Sequence, residues 1–273
     1  MGNKFDLDTR MKKYEYITRT HLVPKTPVII RIDGKSFHTF TRHLKKPFDE
    51  IFVQSMKKTM EYLCKNIQGC VLGYTQSDEI SLLLIDYQKI DSDSWFDYNI
   101  QKCVSVAASM ATMAFNKIFR EYADEYIKAR NAALKKLVVT ADDHREDTFY
   151  CLALREACNK GAMFDARCFN LPKEEVTNYF FYRQNDATRN SIQALGQANF
   201  SHRELHGKSC NEIQNMLMMQ RGTNWNNLWT DLKRGSCCKK VNVEGVNHPK
   251  WVIDNEIPVF KNEGRRYIEK LLS

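Results

Sequence analysis

Two short acidic motifs are the first candidates for chemistry in this chain. Asp33-Gly34 follows directly after a β-branched apolar run, and Asp78-Glu79 ends a polar segment. Carboxylates held within a few ångströms raise one another's pKa and are costly to keep together unless a cation neutralises them. Magnesium suits such hard oxygen ligands and keeps positions open for triphosphate oxygens. Together the motifs predict two Mg²⁺ ions that activate an attacking hydroxyl and stabilise a leaving pyrophosphate.

Each acidic motif also has a simpler interpretation. Asp33-Gly34 alone is typical of an ordinary turn, and Asp78-Glu79 alone is typical of a solvated hairpin tip. Their joint placement favours a metal site. Gly34 adds to this, because a residue without a side chain lets its carbonyl approach a metal closely.

A cationic segment with interleaved Phe37 and Phe40 follows the first motif. Cationic side chains in such a segment could hold a triphosphate, and they could equally form a solvated basic face. Both interpretations remain open on the residues alone. The cationic side chains are Lys35, His38, Arg42, His43, Lys45 and Lys46.

Apolar periodicity predicts the elements that position these motifs. The first predicted elements are a strand from Val28 and a helix over 47–66 with Pro47 in its first turn. A hairpin follows, with strands Cys70–Tyr74 and Ile80–Ile85 around a polar tip at Thr75–Glu79. The last two are a helix over 98–121 and a strand over Met163–Phe169. This is the split β-α-β order of ferredoxin-like folds, with helices on one face of a four-stranded antiparallel sheet. It predicts that Asp33 and Asp78-Glu79 converge at one sheet edge.

The fold class expected is therefore α+β, a ferredoxin-like polymerase palm with an antiparallel sheet plus a helical C-terminal extension. Residues 1–26 are interpreted as an N-terminal helix and connector, and residues 27–171 as the palm core. Within that core, residues 122–160 are interpreted as an insertion, helical over Ile127–Leu137. Residues 172–273 form the extension, helical over Glu174–Gly196 and Asn211–Met219 and strand-like over Trp251–Phe260.

The composition indicates a globular protein and argues against disulfide-rich and zinc-ribbon proteins. The chain has 273 residues with 43% hydrophobic side chains, enough for a globular core, and its net charge of +8 favours an anionic partner. Nine cysteines without a C-x-x-C pair argue against a disulfide framework and a zinc ribbon. No run of about 18 apolar residues occurs, so we expect a cytoplasmic protein with no membrane association.

Five segments carry a family likeness. RIDGKSFHTFTRHLKKPFDE at 31–50, GYTQSDEISLLL at 73–84 and FDARCFNLP at 164–172 resemble the metal, nucleotide and core motifs of the tRNA-histidine guanylyltransferase-like enzymes, also called 3′-to-5′ polymerases. YFFYRQNDATRNSI at 179–192 and NWNNLWTDLKRGS at 224–236 resemble later segments of the same family. The likeness spans most of the chain except about 122–160.

The resemblance implies roles for individual residues. Asp33, the Gly34 carbonyl and Asp78 would hold two magnesium ions, with Glu79 as a third catalytic carboxylate beside them. The residues implied in nucleotide binding are Arg31, Gly34, Lys35, Ser36, Phe37, His38, Lys46, Ser77 and Lys102. The residues implied in RNA binding are Arg167, Arg183, Arg189 and Asn190. The basic residues of 172–236, which stand beside Tyr and Trp side chains, form the candidate RNA surface: Arg183, Arg189, Arg203, Lys208, Arg221, Lys233 and Arg234.

The resemblance also implies a reaction and its partners. ATP adenylylates the 5′-monophosphate of a tRNA, and the 3′-hydroxyl of an incoming GTP or other nucleoside triphosphate then attacks the activated end. A homotetramer is implied as well.

One departure from the family pattern bears on the substrate. Enzymes that add a guanosine to histidine tRNA typically carry His-Ile-Asn-Asn where this chain has Thr188-Arg189-Asn190-Ser191. The form found here resembles the guanylyltransferase-like branch, which favours template-dependent repair of 5′-truncated tRNA. A lysine expected before a later Asn-Glu pair is Cys210, with Lys208 nearby. The alternatives are a histidine-tRNA guanylyltransferase, a cyclase-like palm enzyme and a non-catalytic RNA-binding protein.

Overall fold

The computed structural model describes residues 4–135, 141–242, 245 and 248–273. Its strands are β1 (Val28–Gly34), β2 (Cys70–Gln76), β3 (Glu79–Leu84), β4 (Phe164–Asn170), β5 (Ser236–Val241) and β6 (Lys250–Asp254). Its α-helices are α1 (Lys4–Ile17), α2 (Phe37–Phe40), α3 (Glu50–Asn66), α4 (Ile100–Lys135), α5 (Ala141–Lys160), α6 (Lys173–Asn199), α7 (His202–Leu205), α8 (Cys210–Arg221), α9 (Thr230–Arg234) and α10 (Arg266–Glu269).

The strands form one antiparallel sheet in the order β4-β1-β3-β2-β5-β6. Its first four strands have the ferredoxin-like order, which confirms the predicted α+β palm class. The predicted strand count is wrong, because β5 pairs with β2 and β6 extends the sheet further. The strand predicted over Trp251–Phe260 ends at Asp254.

Both faces of the sheet are buried, so the prediction that helices cover one face is wrong. On the first face, α3 and α4 pack over Ile30, Ile32 and Leu82. Side chains alternate along a strand, so Ile29 and Leu83 point to the opposite face. There they pack with Val176 and Phe180 of α6 and with later residues that include Ile257, Phe260, Ile268 and Leu272.

Two element boundaries next to the acidic motifs differ from the prediction. The helix predicted from Pro47 begins at Glu50, because the Asp49 carboxylate caps it by accepting from the Phe52 backbone N–H at 2.9 Å. The polar tip is shorter than predicted, since β2 extends to Gln76 and β3 starts at Glu79.

The described parts of 122–160, residues 122–135 and 141–160, belong to two helices that pack on the first face. The helix predicted over 98–121 continues to Lys135 as α4, and α5 lies against it. Ala123, Tyr150 and Leu154 are buried in the same core as β1 and β3. The predicted helix Ile127–Leu137 falls within α4 as far as Lys135, and residues 136–140 lie outside the described residues.

No helix in the described ranges is both long enough and apolar enough to cross a membrane.

Candidate active site

The two acidic motifs meet at one corner of the sheet, as predicted. Asp33 at the end of β1 lies directly opposite Glu79 of β3, and the Gly34 backbone N–H donates to the Asp78 carbonyl at 3.1 Å. Ser77 occupies the left-handed region at φ 53° and its hydroxyl donates to the Asp78 carboxylate at 3.1 Å. The tight β2–β3 turn therefore places Asp78 beside Asp33.

The electrostatics of this corner fit a divalent cation. Burial raises the pKa of the Asp78 carboxyl, and the neighbouring Asp33 charge raises this pKa further. A bound cation would relieve both effects. Within the described residues, no three His, Cys, Asp or Glu side chains group closely enough to hold a metal. Two carboxylates and a backbone carbonyl leave most magnesium positions to phosphate and water, as that ion prefers.

Glu79 is already neutralised by two arginines. Its carboxylate accepts from Arg31 Nε at 2.9 Å and from Arg183 Nε and Nη2 at 2.7 and 2.6 Å. Only 9% of Glu79 and 8% of Arg183 is exposed, and Arg183 also pairs with Asp186. Glu79 is therefore held in ion pairs beside Asp33 and Asp78, and Arg183 is largely buried against it. The catalytic role predicted for Glu79 and the RNA-binding role predicted for Arg183 stay predictions.

A cavity of about 500 Å³ opens beside Asp33 and Asp78. Its walls come from four parts of the chain: the end of β1 with the segment after it, the start of α3, the β2–β3 turn, and α6. The lining residues predicted to bind metal or substrate are Asp33, Gly34, Ser36, Phe37, His38, Lys46, Ser77, Asp78 and Asn190. The structure therefore brings most of the predicted site residues into one space.

The wall formed by the segment after β1 combines packing and charge. Phe37 is 4% exposed and packs in an aromatic cluster with Phe40, Phe115 and Phe164, so its main role is in the core. A Cβ at Gly34 would collide with the Phe37 ring, so close packing alone requires a glycine there. Lys46 is exposed at the cavity, and its Nζ donates to the Thr41 carbonyl at 2.9 Å.

Several predicted binding residues lie outside the cavity. Lys35 is exposed, and its backbone N–H donates to the Met163 carbonyl at 2.8 Å. Lys102 lines a separate cavity near the start of α4. Arg167 is exposed on β4 opposite Arg31. Arg189 is exposed on α6 and pairs with Asp186.

Sequence reasoning missed three residues that shape the site. Gln76 and Ser191 line the cavity, and the Ser191 hydroxyl accepts from Trp225 Nε1 at 3.0 Å. Their positions next to Ser77 and Asn190 were the available signals. Tyr150 reaches the segment after β1 from α5 and donates to Asp49 at 2.6 Å. No sequence signal links residues that lie 101 positions apart.

Comparison with known proteins decides the family. A family model described as Thg1, tRNAHis guanylyltransferase, matches residues 8–172, which is more than half of the chain. The chain belongs to the Thg1 family. A family member from Saccharomyces cerevisiae, a tRNA(His) guanylyltransferase, is 25% identical over 242 residues, covering 82% of this chain and 88% of the relative.

Solved structures of the Thg1 family extend the match to the whole chain. A bacterial tRNA(His) guanylyltransferase (Thg1)-like protein in complex with ATP is 37% identical, with a TM-score of 0.81, covering 98% of this chain and 99% of the other. A bacterial Thg1-like protein in complex with GTP is 36% identical, with a TM-score of 0.76, covering 97% and 98%. The family is thus one of tRNA nucleotidyltransferases, and the match includes α6 and the strands β5 and β6.

Proposed function

We propose that this protein adds nucleotides in the 3′-to-5′ direction to tRNA 5′ ends, as template-dependent repair of 5′-truncated tRNA after ATP activates the 5′-monophosphate. One observation carries the proposal: the Asp33 and Asp78 carboxylates border a cavity that is also lined by the cationic side chain of Lys46. The ATP and GTP complexes of similar Thg1-like proteins support a nucleoside triphosphate as the occupant.

The corner of the sheet would hold the metal. Asp33, Asp78 and the Gly34 carbonyl are the residues that would bind two Mg²⁺ ions. When bound, the ions would polarise phosphoryl oxygens and lower the pKa of an attacking hydroxyl.

The side chains around the corner would bind and orient the triphosphate. The Lys46 ammonium is a mobile point charge that suits phosphate oxygens, and His38 lies on the same wall. Arg31 and Arg183 fix Glu79 and thereby hold β3 beside α6. Positioning two substrates on such a rigid frame removes much of the entropic barrier to their reaction.

Two displacements would follow on this frame. A 5′-monophosphate oxygen of the tRNA attacks the α-phosphorus of ATP and releases pyrophosphate. The 3′-hydroxyl of the incoming nucleotide then attacks the adenylylated 5′-phosphorus and releases AMP. Both steps bring anionic phosphates next to carboxylates, so they require the cations that Asp33, Asp78 and the Gly34 carbonyl would hold.

The wall contributed by α6 favours repair over addition to histidine tRNA. Asn190 and Ser191 line the cavity, and they end the run Thr188–Ser191 that replaces His-Ile-Asn-Asn. The departure from the histidine-tRNA pattern therefore touches the substrate space itself. Exposed Arg189, Arg203 and Arg221 on and after α6 extend the proposed tRNA surface.

A primer-extension assay tests the function. Purified protein is incubated with Mg²⁺, ATP, all four nucleoside triphosphates and a 5′-monophosphorylated tRNA lacking its first nucleotide. We expect extension that follows the opposite acceptor strand, and none with Asp78→Asn. Addition of a single guanosine to intact histidine tRNA, without extension of truncated tRNA, would overturn the repair role. No extension of even a 5′-triphosphorylated truncated tRNA would overturn polymerase activity.

The working assembly is proposed to be a cytoplasmic homotetramer. The family resemblance supports this, and a tetramer would offer a tRNA more than one basic surface. Light scattering at the protein concentration of the extension assay measures the assembly, and a fully active monomer would contradict the proposal.

A further inference from the structure

A hydrogen-bonded cluster links the cavity wall, to which Lys45 and Asp49 belong, to Tyr150 behind it. The Tyr150 hydroxyl on α5 donates to Asp49 Oδ2 at 2.6 Å, and the same oxygen accepts from the Lys45 backbone N–H at 3.0 Å. The other carboxylate oxygen caps α3 through the Phe52 N–H. Asp49 thus ties together a helix start, the 45–48 loop and α5.

The cluster also holds the side chain next to Lys46. The Lys45 ammonium lies 4.4 Å from the ring centre of Tyr150 and 5.1 Å from that of Tyr126. Cation–π contacts of this kind favour this position of the Lys45 ammonium. Lys45 and Lys46 both line the cavity, but the Lys45 ammonium is engaged by the rings of α4 and α5, whereas the Lys46 ammonium is exposed and contacts only the Thr41 carbonyl among the described residues.

Tyr150 is buried, with 7% of its surface exposed, and Asp49 with 4%. Burial raises the pKa of Tyr150, and the hydrogen bond to Asp49 raises it further, so the hydroxyl remains a donor at neutral pH. A buried carboxylate that loses such a donor is left partly unsatisfied. The 45–48 loop would then lose a fixed point next to the cavity.

We propose that Tyr150 is a positioning residue for nucleotide binding: through Asp49 it holds the loop that presents Lys46 to the triphosphate. The inference rests on the proposed function, because it requires a nucleoside triphosphate in the cavity beside Asp33 and Asp78. It gives α5 a role in substrate binding, although α5 itself contributes no residue to that cavity's lining.

Binding of Mg²⁺–ATP to the full-length protein tests the inference in a double-mutant cycle. We expect Tyr150→Phe to weaken ATP binding roughly five- to tenfold, less than the full value of a hydrogen bond to a charged group, because Asp49 keeps its other hydrogen bonds to the loop and α3. In a Lys46→Ala background, the same substitution should change ATP binding less than twofold, because the effect acts through Lys46.

Tyr267→Phe is the matched control. Tyr267 also donates to a carboxylate, Asp254, at 2.7 Å. It packs with Ile257 and Phe260 on the opposite face of the sheet from α3 and α4, away from the cavity. Tyr267→Phe should leave ATP affinity unchanged even if it lowers the melting temperature as much as Tyr150→Phe does. A general loss of stability would weaken ATP binding in both tyrosine variants and would overturn the inference.

The remaining outcomes separate this inference from the proposed function. Weaker binding with Lys46→Ala and normal binding with Tyr150→Phe would overturn the role of Tyr150 alone. Normal binding with Lys46→Ala would overturn the triphosphate site and the inference with it. If Tyr150→Phe does not fold, Asp49→Asn replaces it, since Asn caps a helix as well as Asp. That variant must show the same dependence on Lys46, or the inference fails.

Discussion

The acidic side chains of the site divide into two kinds. Glu79 is satisfied by the guanidinium groups of Arg31 and Arg183, and Arg31 Nη2 also lies 3.5 Å from Asp33 Oδ2, whereas Asp78 has no ion-pair partner among the described residues. Burial of Asp78 in this arrangement costs stability until a cation arrives. The negative charge of Asp78 is therefore unfavourable in the metal-free protein and becomes favourable when a cation binds. Groups with such perturbed pKa values are common in active sites.

Asp78→Asn should raise the stability of the metal-free protein while abolishing nucleotide transfer. The folded protein has a raised Asp78 pKa, so the cost of its charge is fully present above that pKa. As pH falls through the raised pKa towards the ordinary value of 3.8, the folded state binds the proton first and the cost disappears. Thermal melts in EDTA should show the variant melting higher near neutral pH, with a difference that shrinks on acidification.

Magnesium supplies the control for this prediction. The ion should raise the melting temperature of the native protein and leave that of Asp78→Asn nearly unchanged, because only the native corner binds it. Equal stabilisation of both proteins would place the metal elsewhere.

Arg183→Met should destabilise the protein by about 3 kcal/mol, because it leaves the buried Glu79 with Arg31 as its remaining arginine. Arg189→Met is the control, since Arg189 also pairs with Asp186 but is 59% exposed in its side chain. Its loss should cost less than about 1 kcal/mol. Urea unfolding measures both variants, and equal losses would contradict the anchoring role of the Arg183–Glu79 pair.

The meeting of Asp33 and Asp78 was predictable because the ends of β1 and β3 and the order of elements along the chain are visible locally, and the ferredoxin-like arrangement of that order brings the two strand ends together. It did not predict the partners of Glu79, since Arg183 is 104 positions away and reaches it only after α6 packs on the sheet. A carboxylate at a metal-like position looks the same in sequence whether a metal or an arginine neutralises it.

Helix α3 is tied to the late part of the chain by a buried ion pair. Lys57 Nζ lies 2.5 Å from Asp231 Oδ2 of α9, and the two side chains are 4% and 15% exposed. The pair lies beside Ser77, on the wall of a small cavity under the β2–β3 turn. It therefore connects α3, α9 and the corner that carries Asp78.

Asp231→Ala should destabilise the protein by about 3–5 kcal/mol, because Lys57 remains buried without its carboxylate. The matched control on α3 is Glu61→Ala, which removes the partner of the half-exposed Lys58 and Lys65 and should cost about 1 kcal/mol or less. Chemical denaturation compares the two. Restoration of stability in a Lys57→Met, Asp231→Leu double variant would identify the unpaired charge as the cause.

Long periodic elements were predictable, and elements that depend on the sheet were not. α3 and α6 were predicted nearly in full from their apolar spacing. β5 was missed because Ser236, Lys239 and Lys240 give its sequence little β character, and its pairing with β2 makes it a strand. The two halves of α4 looked different because the second half is more charged.

Two hydrophobic cores of the described residues share one sheet, and a third, smaller one joins α6 and α8. The first lies under α3, α4 and α5, and the second is closed by α6 and by residues such as Ile257 and Leu272. Residues 27–171 supply Asp33, Asp78 and Glu79 but cover only one face of the sheet. The C-terminal extension therefore completes the palm in addition to any role in binding RNA.

A fragment of residues 1–171 should fail to fold alone. It would expose Ile29, Leu72 and Leu83, which are fully buried in the complete protein, and each such side chain contributes about 1.5–3 kcal/mol on burial. We expect an aggregating or dye-binding fragment, measured by size-exclusion chromatography and fluorescent hydrophobic probes. A soluble monomeric fragment with a cooperative melt would show that the first core is sufficient.

Because both faces of the sheet are buried, the order of protein synthesis determines when each face becomes covered. β1 to β4 leave the ribosome before α6 and the segment around Phe260. Tyr74 and Leu83 are therefore synthesised before the residues that bury them. At translation rates of about 5–20 residues per second, the roughly one hundred residues after β4 take on the order of 5–20 s to emerge. α6 begins three residues after β4 and covers part of this face early, but Ile257, Phe260, Ile268 and Leu272 emerge last. Until they do, the nascent chain presents part of an apolar sheet face.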